Sequence, residues 1–153
     1  RKDDSAVPIK GLTPGLAVHM SVCCHPLPGD RIVGILSEGK GVDIHTIDCE
    51  SLGADVHDSD RWLDLIWDNN QRDTFHLGRI NLLVLNEPGG LGALSMVIAQ
   101  NRGNISNLKI VNRSSDFFEM DLDIEVTSVR HLTNIIAALR ASPAINSVER
   151  ARK

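Results

Sequence analysis

The chain has 153 residues, 42% hydrophobic and 24% charged, which suits one or two small globular domains and excludes a disordered tail. No apolar run reaches the ~18 residues needed to cross a membrane, and 3% aromatic content without tyrosine leaves few stacking platforms for single-stranded nucleic acid. Residues 1–73 carry 7 Lys/Arg against 13 Asp/Glu, a net of 7 − 13 = −6, whereas residues 74–153 carry 9 against 7, a net of +2, so the acidic first half is a poor non-specific phosphate binder.

Residues 1–15, with Pro8, Gly11, Pro14 and Gly15, read as a lead-in without regular structure. Residues 16–20 alternate, and Cys23-Cys24-His25-Pro26-Leu27-Pro28-Gly29-Asp30 is an irregular loop forced by its prolines and glycine. Strands are expected at 31–36 and 42–47, joined by a turn at 38–41 as a hairpin. Asp48 reads as the N-cap of a short helix through Leu52, and 62–67 as a closing strand. So small a β-rich unit has little core and needs extra stabilisation.

A polar linker is expected at 69–74. After it come a strand at 75–85, a helix at 91–102 with Leu91, Leu94, Val97 and Ile98 on one stripe, and a strand at 105–111. The strand at 118–126 alternates Phe118, Met120, Leu122, Ile124 and Val126 with Glu119, Asp121, Asp123 and Glu125, the carboxylates forming a solvated face paired with Lys109 and Arg113. A second helix carries Leu132, Ile135, Ile136 and Leu139, capped by Ser128 and stopped by Pro143, before a last strand at 145–150. The order β-α-β-β-α-β is the ferredoxin-like plan, so the whole chain is α+β. Leu83 and Leu85 lie opposite Ile80, Leu82 and Val84. Helices cover one face of such a sheet, so a second apolar face predicts a homodimer or docking on the first module.

Two constellations carry chemistry. Asn86-Glu87-Pro88-Gly89-Gly90-Leu91-Gly92 joins a strand to a helix, where glycines admit close approach and the helix start offers unpaired N–H groups to a carboxylate. Cys23, Cys24, His45 and Cys49 are a candidate zinc set: His45 and Cys49 are acceptably spaced, but vicinal cysteines in a strand point to opposite faces, so the backbone must kink there. Three cysteines, two adjacent, make no disulfide framework and point to a reducing cytoplasm. No nucleophile and base have catalytic spacing. The chain begins Arg1-Lys2-Asp3-Asp4, without initiator methionine or signal peptide, and reads as a piece of something longer.

Residues 9–67 resemble the segment ahead of the C-terminal domain in long RelA/SpoT homologues, the bifunctional enzymes that make and hydrolyse (p)ppGpp. The carriers are Ile9-Lys10-Gly11-Leu12, Cys23 through Asp30, Ile32-Val33-Gly34, Gly41-Val42, His45, Asp48-Cys49 and Arg61-Trp62-Leu63-Asp64. That family's RIS, or zinc-finger, domain would occupy 16–68. Residues 79–153 are similar to the ACT domain that follows it, including Glu119-Met120 and Ala137-Ala138-Leu139-Arg140-Ala141-Ser142-Pro143, so an ACT domain is expected over 75–153. The sequence departs from relatives at Ile35, where Tyr is common, and at Thr46, where Arg is common.

The resemblance implies a non-catalytic regulatory region of the stringent response. ACT domains bind small ligands, commonly amino acids, between two copies. Asn86, Glu87, Gly89, Gly90, Leu91, Gly92, Ala93 and Leu94 would supply the loop, with Asn104, Ile105 and Ser106 of the facing chain completing the pocket. An aliphatic edge of Leu91, Leu94 and Ile105 favours a branched-chain amino acid, valine, isoleucine or leucine. The expected partners are a second copy, the N-terminal catalytic domains and the ribosome. The alternative is a module docking on the ribosome or the catalytic half with no small ligand.

Overall fold

The structure, a computed structural model, describes residues 9–37, 39, 41–53, 60–68 and 74–151. These fall into two compact units that divide between Thr74 and Phe75. Apart from Thr74, the expected linker lies outside the described residues, as do positions 38 and 40 of the hairpin turn.

The first unit is a five-stranded sheet of β1 (Ile9–Lys10), β2 (Val18–Met20), β3 (Ile32–Ser37), β4 (Gly41–Thr46) and β5 (Trp62–Trp67), in the order β1-β5-β3-β4-β2. The branched, apolar sequences of β3 and β4 form the expected antiparallel hairpin, with Ile35 across from Asp43. β2 runs parallel to β4. Ile9, Ile32, Val42, Ile44 and Leu65 are buried together, with Leu12, Leu16, Met20, Leu63 and Trp67 packed around them. Two expectations are corrected here. Residues 9–10 are not lead-in but a strand, Ile9 pairing with Trp67, because only β5 offers its backbone a ladder. Asp48 does not start a helix: Cys49 N–H donates to the Thr46 carbonyl and Leu52 N–H to the Cys49 carbonyl, so 46–52 is a pair of tight turns.

The second unit contains β6 (His76–Leu85), α1 (Gly90–Gln100), β7 (Asn104–Arg113), β8 (Phe117–Val126), α2 (Val129–Arg140) and β9 (Ile145–Arg150). Sheet order β7-β8-β6-β9 is the ferredoxin-like arrangement. Ile80, Leu82, Val84, Met120, Leu122, Ile124 and Val126 are buried with Leu94, Ile98, Leu132, Ile135 and Leu139 of the helices. Ser128 caps α2 by accepting from His131 N–H at 3.1 Å.

Three carboxylates of β8 find partners on β6 rather than on Lys109 or Arg113 of β7, while Glu125 accepts from Asn104 of β7. Arg79 is bidentate to Asp123 at 2.6 and 3.0 Å, and Asn81 donates to Glu119 and Asp121. The helix-free face of the sheet is therefore largely polar, and Leu83 and Leu85 are half-buried among these groups. Leu77, on this face across from Glu125, is 43% exposed, and further unpartnered apolar surface lies on β7. Leu108 and Ile110 of the edge strand β7 stand across from Leu122 and Met120, on the helix side, yet remain 42% and 45% exposed because no helix reaches over them. Met96 of the uncharged α1 is exposed as well.

His76 begins β6, and burial lowers its pKa below the ordinary 6.5. The unfolded chain then binds more protons than the folded one below about pH 6.5, so stability is full above that value and declines as pH falls through it. Thermal unfolding of the second unit is expected to fall more between pH 7.5 and 5.5 in wild type than in His76→Gln; equal losses would assign the decline to another group.

Candidate functional site

The metal candidate is assembled by the β3–β4 hairpin and the two loops flanking it. Cys23 and Cys24 follow β2 in a turn closed by His25 N–H donating to the Ser21 carbonyl at 2.9 Å, with His25 itself at φ 46°. A helical-type turn rotates successive side chains by roughly 100° rather than the 180° of a strand. This is the kink that the vicinal pair requires. β4 presents His45, and the turn after it returns Cys49.

The four donor atoms lie within 4.8 Å of one another. Cys23 Sγ is 3.5 Å from His45 Nδ1, 3.4 Å from Cys49 Sγ and 3.9 Å from Cys24 Sγ, and Cys24 Sγ is 3.9 Å from His45 Nδ1. A tetrahedron with metal–sulfur bonds of ~2.3 Å has sulfurs about 3.8 Å apart, so the spacings fit one ion.

Backbone amides aim at the sulfurs too: Thr46 N–H donates to Cys24 Sγ at 3.3 Å and Ser51 N–H to Cys49 Sγ at 3.4 Å. The sequence reading missed these donors, for which the only local sign is the i, i+2 spacing of Cys49 and Ser51. Burial pushes the Cys24 thiol up to about 12, against the opposing hydrogen bond from Thr46 N–H. Burial also raises Cys49, but donors from Ser51 and the neighbouring thiols outweigh it and leave its pKa lowered. Burial holds His45 below its ordinary value, despite Asp43, and so favours the neutral ring that ligates metal. Three soft sulfurs and an imidazole around a partly buried centre can hold a metal as a cross-link between loops.

In the second unit, Gly89 is the N-cap of α1 at φ 87°, a left-handed conformation that glycine adopts without strain. A Cβ on Gly90 would approach the Leu85 carbonyl to 2.8 Å, so the turn is too tight for a side chain there. Gly90 N–H is bonded to the Glu87 carbonyl and Ala93 N–H to that of Gly89. The amides of Gly89, Leu91 and Gly92 have no partner among the described residues.

Asn86 spends its side-chain amide on the Ser114 carbonyl at 2.9 Å, bracing the loop against the β7–β8 turn and leaving Oδ1 to accept. Leu91 is exposed, Ala93 is half-buried, and Leu94, at 1% exposure, belongs to the core rather than to a pocket edge. Asn104 donates to Glu125, Ser106 donates to the Asp123 carbonyl, and Ile105 is half-buried. β6 and β7 are both antiparallel to β8, so Asn104–Ser106 sit at the opposite end of the sheet from the glycine loop. Within one protomer the two halves of the expected pocket do not meet.

Residues 7–68 match the family described as the RelA/SpoT RIS domain, and residues 73–150 match the ACT domain family. The chain is 38% identical over 146 residues to the GTP pyrophosphokinase rsh of Brucella ovis, covering 95% of this chain and 19% of that protein. To the GTP pyrophosphokinase of Escherichia coli K12 it is 28% identical over 154 residues, covering 97% of this chain and 20% of that protein. Among solved structures, the ACT domain from the GTP pyrophosphokinase of Chlorobium tepidum is similar at 26% identity and a TM-score of 0.44, over 50% of this chain and 99% of that one. The chain thus spans 19 to 20% of the length of these two relatives.

Proposed function

We propose, from the premise that this chain belongs to the ACT-domain family and joins a RelA/SpoT RIS domain to it as the C-terminal regulatory region of GTP pyrophosphokinases does, that it senses an amino acid. The match to RIS and ACT regions of GTP pyrophosphokinases supports a regulatory role. The observation that carries the reading is the set of unpaired amides of Gly89, Leu91 and Gly92 at the start of α1. They suit a ligand carboxylate. Glu87 and the free Oδ1 of Asn86 suit its ammonium group. Leu91, with Ile105 of a second copy, offers only aliphatic wall, which favours valine, leucine or isoleucine.

The site is completed by homodimerisation through β7. A two-fold axis that sets β7 antiparallel to its counterpart carries Asn104–Ser106 of the partner to the end of the sheet where the glycine loop lies, and it covers Leu108, Ile110 and Met96. An amino acid held between subunits binds one dimer arrangement better than another, and so shifts the state of the catalytic domains of the intact cytoplasmic protein. The RIS domain is the structural partner, held by zinc on Cys23, Cys24, His45 and Cys49.

Calorimetry of this chain against all twenty amino acids tests the reading: heat from a branched-chain member is expected, and silence from every one overturns it. A Cβ on Gly92 meets nothing within 4 Å, so Gly92→Val preserves the fold while placing bulk beside the free amides. It is expected to weaken binding by about tenfold or more, the equivalent of roughly one charge-assisted hydrogen bond. Were all amino acids silent, salt-sensitive pelleting with ribosomes would identify a docking module in its place.

A further inference from the structure

At the end of the ACT sheet away from the glycine loop, a cavity of about 590 Å³ opens between the end of α1 and the start of α2. Its walls include Phe75, Arg102, Ser128, Arg130, His131 and Asn134, and none of its lining residues is a carboxylate. Neither guanidinium has a partner among the described residues. Two uncompensated cations therefore face one space of the size that small-molecule sites occupy.

Arg102 sits where the fold gives it least reason to be. It is the residue just past the C-cap of α1, at φ 66°, in a Schellman turn: Gly103 N–H donates to the Ile98 carbonyl at 2.9 Å and Arg102 N–H to that of Ala99 at 3.0 Å. Glycine is the usual holder of that left-handed position. Arg102 stands there against the backbone preference and without an ion-pair partner among the described residues.

The rest of the cavity is chemically mixed. His131 Nε2 donates to the Asn101 carbonyl at 2.7 Å and Nδ1 accepts from Thr127 N–H at 3.0 Å, which ties the two helix ends together and fixes one wall. Ser128 is committed to capping His131 N–H, and the first two amides of α2, those of Val129 and Arg130, have no partner among the described residues. Phe75 lies 58% exposed at the rim as a flat apolar surface, and Asn134 adds an amide with both donor and acceptor. Cations and a helix start suit phosphoryl oxygens; an aromatic face and an amide suit a purine.

From these features we infer that the ACT domain carries a second ligand site, which takes a nucleoside polyphosphate. Arg102 and Arg130 grip the phosphates, and the base lies on Phe75. This site shares no residue with the glycine loop, so the two can be inactivated separately.

The test is titration of the full chain with GTP, with ATP and with pyrophosphate, followed by calorimetry and by amide shifts at Arg102, Arg130 and His131. At least one nucleotide is expected to bind more tightly than pyrophosphate and to move those three amides. Arg102→Gly installs the residue that the turn prefers, so it removes the charge without endangering the fold. Arg102→Gly and Arg130→Gln are each expected to weaken the nucleotide by about tenfold, as loss of one charge-assisted contact does. Phe75→Ala is expected to weaken nucleotide but not pyrophosphate, and Gly92→Val to change neither. The inference is overturned if both nucleotides are silent at millimolar concentration or if the two arginine variants bind as wild type does. It is equally overturned if pyrophosphate matches the nucleotides.

Discussion

Replacing Cys24 with serine is expected to strip the metal from the RIS domain and unfold that domain while leaving the ACT domain intact. Its sulfur is one of four donors within 4.8 Å of one another, is buried to 1% exposure and receives an amide from β4. A hydroxyl in its place is a poor soft-metal ligand with no useful charge. Structural zinc in small domains contributes apparent free energies of roughly 10–16 kcal/mol. Whole domains are stable by only about 5–15 kcal/mol, so the cost of losing one ligand approaches the total. Metal analysis should fall from one equivalent to near none, with amide signals of 9–68 collapsing and those of 75–151 unchanged. A Cys24→Ser chain that keeps both metal and dispersed RIS signals would show that the four side chains form a cysteine-rich core and not a metal centre.

The double substitution Leu108→Lys and Ile110→Lys is expected to give a folded monomer that no longer binds an amino acid. Both side chains are 42–45% exposed in the protomer, so charging them costs the isolated fold little. Across a two-fold axis the same charges would face their own copies in a desolvated contact, where like-charge juxtaposition costs several kcal/mol. Light scattering should report half the wild-type mass at an unchanged unfolding midpoint. Ligand affinity should fall about a hundredfold or more, because the partner's half of the pocket is gone. A variant that stays dimeric, or binds normally as a monomer, would move the interface or the pocket elsewhere.

The ACT order was legible because its periods are unambiguous. Met120, Leu122, Ile124 and Val126 alternate, Leu132, Ile135, Ile136 and Leu139 repeat at helical spacing, and Ser128 marks the start of α2. Local pattern was silent about what depends on distant pairing. Ile9–Lys10 carries no strand signal of its own and is a strand only because Trp67 and Ile66 lie beside it. Arg79 meets Asp123 across a register that no window of sequence contains. Leu94 shares a stripe with Ile98, and that periodicity identifies it as core; placing it at a pocket edge set proximity to the glycine loop above helical phase. The four candidate metal ligands were visible as residue types, whereas the turn at 21–25 that lets Cys23 and Cys24 converge was visible only as a requirement. Phe75, Arg102 and Arg130 are scattered along the chain and meet only because the ferredoxin-like plan returns each to the same end of the sheet.

The pairing of β1 with β5 sets how the first unit would respond to a pull on its two ends. The chain enters beside where it leaves, because Ile9 is hydrogen-bonded across from Trp67. Tension applied to the two ends would not stretch β3 or β4. It would instead open a two-residue zipper one rung at a time, a mode with low mechanical resistance. The domain thus hangs from the backbone like a bead on a clasp, and Ile9 and Trp67 are the point at which a pull between the flanking segments would first be felt.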